Sequence, residues 1–259
     1  MKGYVKRLKS LLSVDLQRMF TTPLFYIMVG ISFVMPILIL VMTSSLAGTT
    51  TVDPQTGIET TIQGFTNVWQ IISQTSGAGV GMDMTAMCNI NLVYIMAALF
   101  VCLFTASDFR SGYSKNIFSV RSSKSEYIVS KTITCFVAGA SMIIAFFVGS
   151  MFGGAVAGLS FELVGTSVFG IIMCLLSKIF LVTVFVSIPL IFSVFAKQRT
   201  WLSILLALGA GMLLFMMIPM MTPLNAGFIL LLLCLVGGTI FAFGMGTIST
   251  TILKHIDLV

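Results

Sequence analysis

Residues 24–46 run for 23 positions without one charged side chain. An α-helix rises 1.5 Å per residue and a bilayer's hydrocarbon core is ~30 Å thick, so about 20 apolar residues make one crossing. The chain repeats this feature: further apolar runs cover about 88–106, 132–157, 165–196, 200–221 and 227–253. Inside lipid every backbone polar group needs a partner within the protein, which leaves helices as the spanning element for runs of this length. Pro36 marks a kink point in the first run. The expected fold is therefore an all-α membrane protein with six transmembrane helices, forming a single domain over 1–259. Composition agrees: 58% of the residues are hydrophobic and 8% charged, against ~25% charged in soluble domains.

The fourth run is too long for one upright crossing and contains Lys178. A helix starting near Gly165 would bury that lysine deep in the bilayer, at high cost. A span restricted to 179–196 would leave Lys178 at the outer interface, free to snorkel. Residues 165–177 would then be a re-entrant or surface-lying segment, and this is the favoured reading. The alternative is a functional charge in a cavity.

Orientation follows from the basic residues, which gather on the cytoplasmic side of short loops. Thirteen of the 14 Lys and Arg fall on one side of this six-span scheme, and only Lys178 on the other. Both termini are accordingly expected in the cytoplasm, in a multi-pass protein of the cell membrane. The same partition accounts for the net charge of +6 without nucleic acid as a partner. A cleaved leader is disfavoured: "SLA" at 45–47 resembles a cleavage site, but the apolar run before it is longer than a signal peptide's. The five cysteines (Cys88, Cys102, Cys135, Cys174, Cys234) show no metal or redox spacing and read as small buried hydrophobes.

Two flanking elements are legible. Val5, Leu8, Leu12, Leu16 and Met19 recur at helical spacing, with Lys6, Lys9, Ser13 and Gln17 elsewhere, so 4–22 reads as an amphipathic helix lying in the interface. Residues 47–87 form the long extracellular loop, with a turn at "DPQTG" and a short amphipathic piece at "FTNVWQII".

The stretch "SDFRSGYSKNIFSVRSSKSEYIVSK" (107–131) joins the second and third spans. It holds seven of the chain's 22 charges, five of them basic. It is far longer than a connector requires. Its pattern predicts a helix end, a turn at Gly112, a short helix with an apolar knob (Ile117, Phe118, Val120), a second turn, and a helix start capped by Ser123 with Glu126 three residues on. A structured basic element on so apolar a chain points to docking of a soluble partner. A plain positive-inside loop is the simpler reading.

This stretch resembles the first cytoplasmic loop of ABC-2 type exporter permeases. The similarity lies in Asp108 (where the family more often has Glu), Gly112, Lys115-Asn116-Ile117, Ser119, Arg121, Glu126, Tyr127 and Lys131. Six spans, an interfacial N-terminal helix and a broken apolar segment extend the likeness over the whole chain. It is nearest to small permeases of antimicrobial-peptide immunity and multidrug export in Gram-positive bacteria.

The resemblance implies the transmembrane subunit of an ATP-driven exporter. Residues 108–131 would be the coupling loop, with Asp108, Arg110, Gly112, Lys115, Ile117, Phe118, Arg121 and Glu126 as its ATPase-coupling residues. The chain has no G-x-x-x-x-G-K-[ST] motif for nucleotide phosphates. It is expected to be non-catalytic and to bind no cofactor itself, with ATP and Mg on a separate ATPase subunit present in two copies. A second permease, identical or homologous, would complete the assembly. The resemblance places the first and fifth spans at the dimer centre, and on the fifth the small-residue face Ala207, Gly209 and Gly211 is the candidate interface, with packing within the chain as the equal alternative. Similar faces at Gly149, Gly153 and Ala157 and at Gly238, Ala242 and Gly246 fit packing within the chain equally well. An apolar path suits an amphiphilic or apolar cargo such as a peptide, drug or lipid; no substrate residue is singled out. The alternatives are a secondary transporter or channel not coupled to ATP, and a membrane enzyme. The enzyme reading lacks clustered catalytic groups, since His255 is the one histidine and lies in the C-terminal tail.

Overall fold

The computed structural model describes residues 2–46, 48–52, 59–61, 64–73, 88–120, 124–163, 165–196 and 199–255. Among the described residues eight α-helices carry the fold: α1 (Lys2–Thr21), α2 (Pro23–Leu46), α3 (Leu92–Arg110), α4 (Tyr113–Val120), α5 (Lys124–Ala157), α6 (Val168–Ala196), α7 (Thr200–Met221) and α8 (Phe228–His255). Five of them, α2, α3, α5, α6 and α8, are long and apolar enough to cross a membrane. The chain is thus an all-α, multi-pass membrane protein in its described architecture. One small exception is a hairpin of β1 (Thr50–Val52) and β2 (Glu59–Thr61), paired antiparallel with Thr50 opposite Thr61. The turn expected at 53–57 lies outside the described residues.

α1 and α2 are separated by Thr22 alone. Its backbone N–H and its hydroxyl both donate to the Arg18 carbonyl, at 3.0 and 2.6 Å, closing α1. Pro23 then opens α2, where its missing N–H is no loss and its fixed φ suits a first helical position. The residue before a proline is pushed out of helical conformation, so the chain turns here.

Close approach of helices holds the bundle, as expected where lipid removes any hydrophobic drive between spans. α2 lies along α5. A Cβ added at Gly149 would strike the Phe33 carbonyl, and one at Gly153 would come within 2.8 Å of Ile37 Cα. α6 lies along α8, where a Cβ at Gly238 would strike Thr183. Gly149, Gly153 and Gly238 therefore pack within the chain. α3 runs through the middle and is the most enclosed span, with Phe100 and Phe104 stacked at 5.4 Å and Tyr94 stacked on Phe185 of α6 at 4.5 Å.

Two expectations are corrected. Residues 168–196 form one continuous helix, so the stretch before Lys178 is neither re-entrant nor a separate surface segment from Val168 onward. Lys178 does not snorkel, because only 1% of it is exposed. The expected surface piece at 65–72 is instead a 3₁₀ turn (Val68–Ile71) closed by a reciprocal Asn67–Gln70 cap. Val68 and Ile71 are fully buried, Val68 against Gly154 at the end of α5.

Candidate functional site

Four elements meet at the basic end of the bundle. α1 turns Leu11, Asp15 and Met19, four residues apart, into the protein. The exposed Val5 is not part of that stripe. Arg18, three residues after Asp15, lies on the same side. α3 ends at Arg110, just beyond Asp108. Gly112 follows in the left-handed region (φ +73°), which L side chains seldom adopt, and this reversal brings Tyr113 of α4 back toward α1. On the first turns of α5, Tyr127, Ser130 and Lys131 share one buried face.

Asp15, Asp108, Tyr113 and Tyr127 converge on Lys131. Its Nζ lies 2.8 Å from Asp15 Oδ1 and 2.7 Å from Asp108 Oδ2. Arg18 stands 2.9 Å from the other Asp108 oxygen, a charge contact off the line of a hydrogen bond. Hydroxyls add further hydrogen bonds to both carboxylates. Tyr127 donates to Asp108 at 2.9 Å, Ser130 to Asp15 at 2.6 Å and Tyr113 to Asp15 at 3.2 Å. Aromatic faces complete the cage, with Lys131 4.4 Å from the Phe104 centroid and Arg18 3.7 Å from that of Tyr113. Asp15, Asp108 and Lys131 are wholly buried. Two carboxylates and two cations cancel in charge, which is the condition for burying such groups at all.

The surroundings alter two groups outside the spans. Burial pushes the Tyr113 hydroxyl upward, and Asp15 beside it adds to this, taking its pKa to about 12. For Arg18 burial acts downward and is the largest single effect, but Asp108 and Tyr113 together outweigh it and the guanidinium stands above its ordinary value. A second ion pair extends the cluster along α1: Arg7 Nε lies 3.2 Å from Glu126, which is 1% exposed. Lys124 Nζ donates to the Leu253 carbonyl at 2.7 Å and so ties the start of α5 to the end of α8.

The structure divides the sequence-selected coupling residues into two groups. Asp108 and Glu126 are interior, so the expectation that Glu126 faces a partner is overturned. Ile117 and Phe118 are partly buried against the chain's own core, Phe118 edge-on to Tyr127 at 5.3 Å, and are not a projecting knob. Arg110 and Lys115 are exposed, as are Ser111, Asn116 and Ser119, and Gly112 supplies the turn. Arg121 and the Ser123 cap lie outside the described residues, as does the Val120 side chain. Asp15 was not legible as a site residue. Its signal was an acid on the apolar side of a helix whose other charges are all basic.

At the opposite end Lys178 forms a second polar centre. Its Nζ donates to Asn91 Oδ1 at 3.1 Å and to Thr222 Oγ1 at 2.8 Å, while Tyr94 OH donates to the Lys178 carbonyl at 2.9 Å. Asn91 precedes α3 and Thr222 follows α7, so loop residues at the bundle's end enclose the ammonium. Among the described residues no carboxylate pairs with it. Of the dimer candidates, Ala207 is buried within the chain, Gly209 is exposed, and neither Gly209 nor Gly211 has an atom within 4 Å of an added Cβ.

Comparison with protein-family models, with curated proteins and with solved structures finds no match.

Proposed function

We propose that this chain is the permease subunit of an ATP-driven exporter of the ABC-2 type, moving an amphiphilic or apolar cargo with a separate ATPase. The observation that carries the reading is the buried Asp15–Lys131–Asp108–Arg18 cluster. It joins α1 to the ends of α3 and α5, and Tyr113 of α4 is tied into it through Asp15 and Arg18, so a push on α4 is delivered to two spans and the interfacial helix together. A loop that only marked topology would need no such fixture. The face left for an ATPase is polar: Arg110, Lys115, Asn116 and Ser119. In this reading the thirteen-to-one distribution of basic residues puts that face, and both termini, in the cytoplasm. α7 (Thr200–Met221) completes the six as the fifth span. A second permease copy meets the chain at Gly209 and Gly211.

A second reading is favoured by Lys178. A buried ionisable group within a span marks ion and substrate pathways in secondary transporters, and among the described residues no carboxylate pairs with Lys178. Purification from native membranes distinguishes the two. The exporter reading expects a stoichiometric P-loop ATPase to co-purify, and transport in proteoliposomes to follow ATP and survive a proton ionophore. A chain that purifies without an ATPase, and whose transport collapses with the ion gradient, overturns it.

A further inference from the structure

A groove of about 340 Å³ lies between α5 and α8, with Tyr4 of α1 also in its lining. Ile128, Val129 and Ile133 line one wall, and Ala242, Phe243 and Gly246 the other. It does not demand water. The lining threonines 132, 247 and 250 each donate to a carbonyl of their own helix, at 2.9, 2.7 and 2.7 Å. Hydrocarbon can therefore fill it without stranding a hydroxyl. From Ala242 to Thr250 the groove follows α8 for about 12 Å, most of the ~15 Å hydrocarbon depth of one leaflet.

The charge around it is confined to one end. One turn beyond Thr250 on the same face of α8 stands the exposed Lys254. Lys124 adjoins the lining residue Ser125 and reaches across to the Leu253 carbonyl. Arg7, one turn on from Tyr4, lies on the same side, with Glu126 as the one acid in this group. An apolar slot about one leaflet deep, open along its length and rimmed with net positive charge at the basic end only, has the shape of a single lipid. We infer that this groove is a binding site for an anionic phospholipid, with an acyl chain between α5 and α8 and the phosphate beside Lys254 and Lys124.

The test uses the full chain in nanodiscs of phosphatidylcholine doped with photoreactive phosphatidylglycerol or photoreactive phosphatidylcholine. The site predicts adducts on α5 and α8 peptides, with phosphatidylglycerol preferred about fivefold, the effect of one basic residue at an anionic surface. K254Q, on an exposed end, should remove most of that preference while total labelling persists. G246F, which fills the slot from a glycine whose added Cβ is 3.9 Å from its nearest neighbour, should abolish labelling there. Equal labelling by the two lipids, or labelling indifferent to both substitutions, overturns the assignment. So does a chain-to-chain cross-link through the groove, which would make it an interface between copies.

Discussion

Replacing Lys131 with methionine tests the ionic cluster at its centre. Methionine keeps most of the volume and flexibility of the side chain and removes the charge with its N–H donors. Lys131 bridges two carboxylates at 2.7 and 2.8 Å, but they are not left equally stranded. Asp108 keeps Arg18 at 2.9 Å and the Tyr127 hydroxyl, whereas Asp15 keeps only the hydroxyls of Ser130 and Tyr113. The substitution therefore leaves one wholly buried carboxylate with no cation in contact. Breaking a buried pair from one side costs about 3–5 kcal/mol. With Asp108 still paired, the lower part of that range applies, about 3–4 kcal/mol or a 10²–10³-fold shift in the unfolding equilibrium. D15N should return about 2 kcal/mol to K131M, because a neutral amide no longer needs the missing cation. The assay is an SDS titration of the solubilised protein read by far-ultraviolet circular dichroism. Hydrogen exchange should locate the added opening in α1. A loss in K131M below about 1 kcal/mol, as for an exposed ion pair, would refute the reasoning, as would strict additivity in the double variant.

G153L should destabilise the chain by about 1–3 kcal/mol through overpacking against Ile37 and Leu40, in the same titration. G209L, which opens onto free space, should leave the isolated chain within about 0.5 kcal/mol of the parent while reducing its self-association in cross-linking, if Gly209 meets a second copy. Lys178→Cys should resist a membrane-impermeant thiol reagent from either side, since residue 178 is 1% exposed; rapid labelling from outside would restore the interfacial placement. Because the Tyr113 pKa is raised from 10.0 to about 12, the folded chain holds that proton more tightly than the unfolded one. Its contribution is complete below pH 10 and is lost as pH rises toward 12, so Y113F should flatten the alkaline limb of the stability profile between those values.

The spans were legible because length and hydropathy act on every residue of a helix that crosses lipid. All six runs reappear as helices, five of them long and apolar enough to cross a membrane, and the Gly112 turn and short α4 fall where the loop pattern placed them. Start points drifted where polar residues continue a helix beyond the apolar run. α5 begins at Lys124, eight residues before its apolar run, because the loop's last helix and the span are one rod. The fourth run misled for a related reason. A lysine within an apolar run reads as an interface marker if the nearest polar partner is water. Here the partners are Asn91 and Thr222, which lie 87 and 44 residues away in sequence. The site was half legible: Asp108 and Lys131 stand in the loop motif, but Asp15 comes from a helix 93 residues earlier than Asp108, and no local pattern links them. Burial also reversed the sense of Glu126, Ile117 and Phe118, which face inward and leave a polar surface on α4.

The central claim is that the outward face of α4 seats a soluble ATPase. A photoreactive amino acid at Asn116, which is exposed on that face, tests it in intact native membranes. The account predicts one dominant adduct, with a P-loop ATPase, lost when Lys115 is changed to glutamate in a chain that still inserts. Adducts only with lipid or with a second copy of the chain would contradict it and leave 108–131 as a topology signal held down by its own ion pairs.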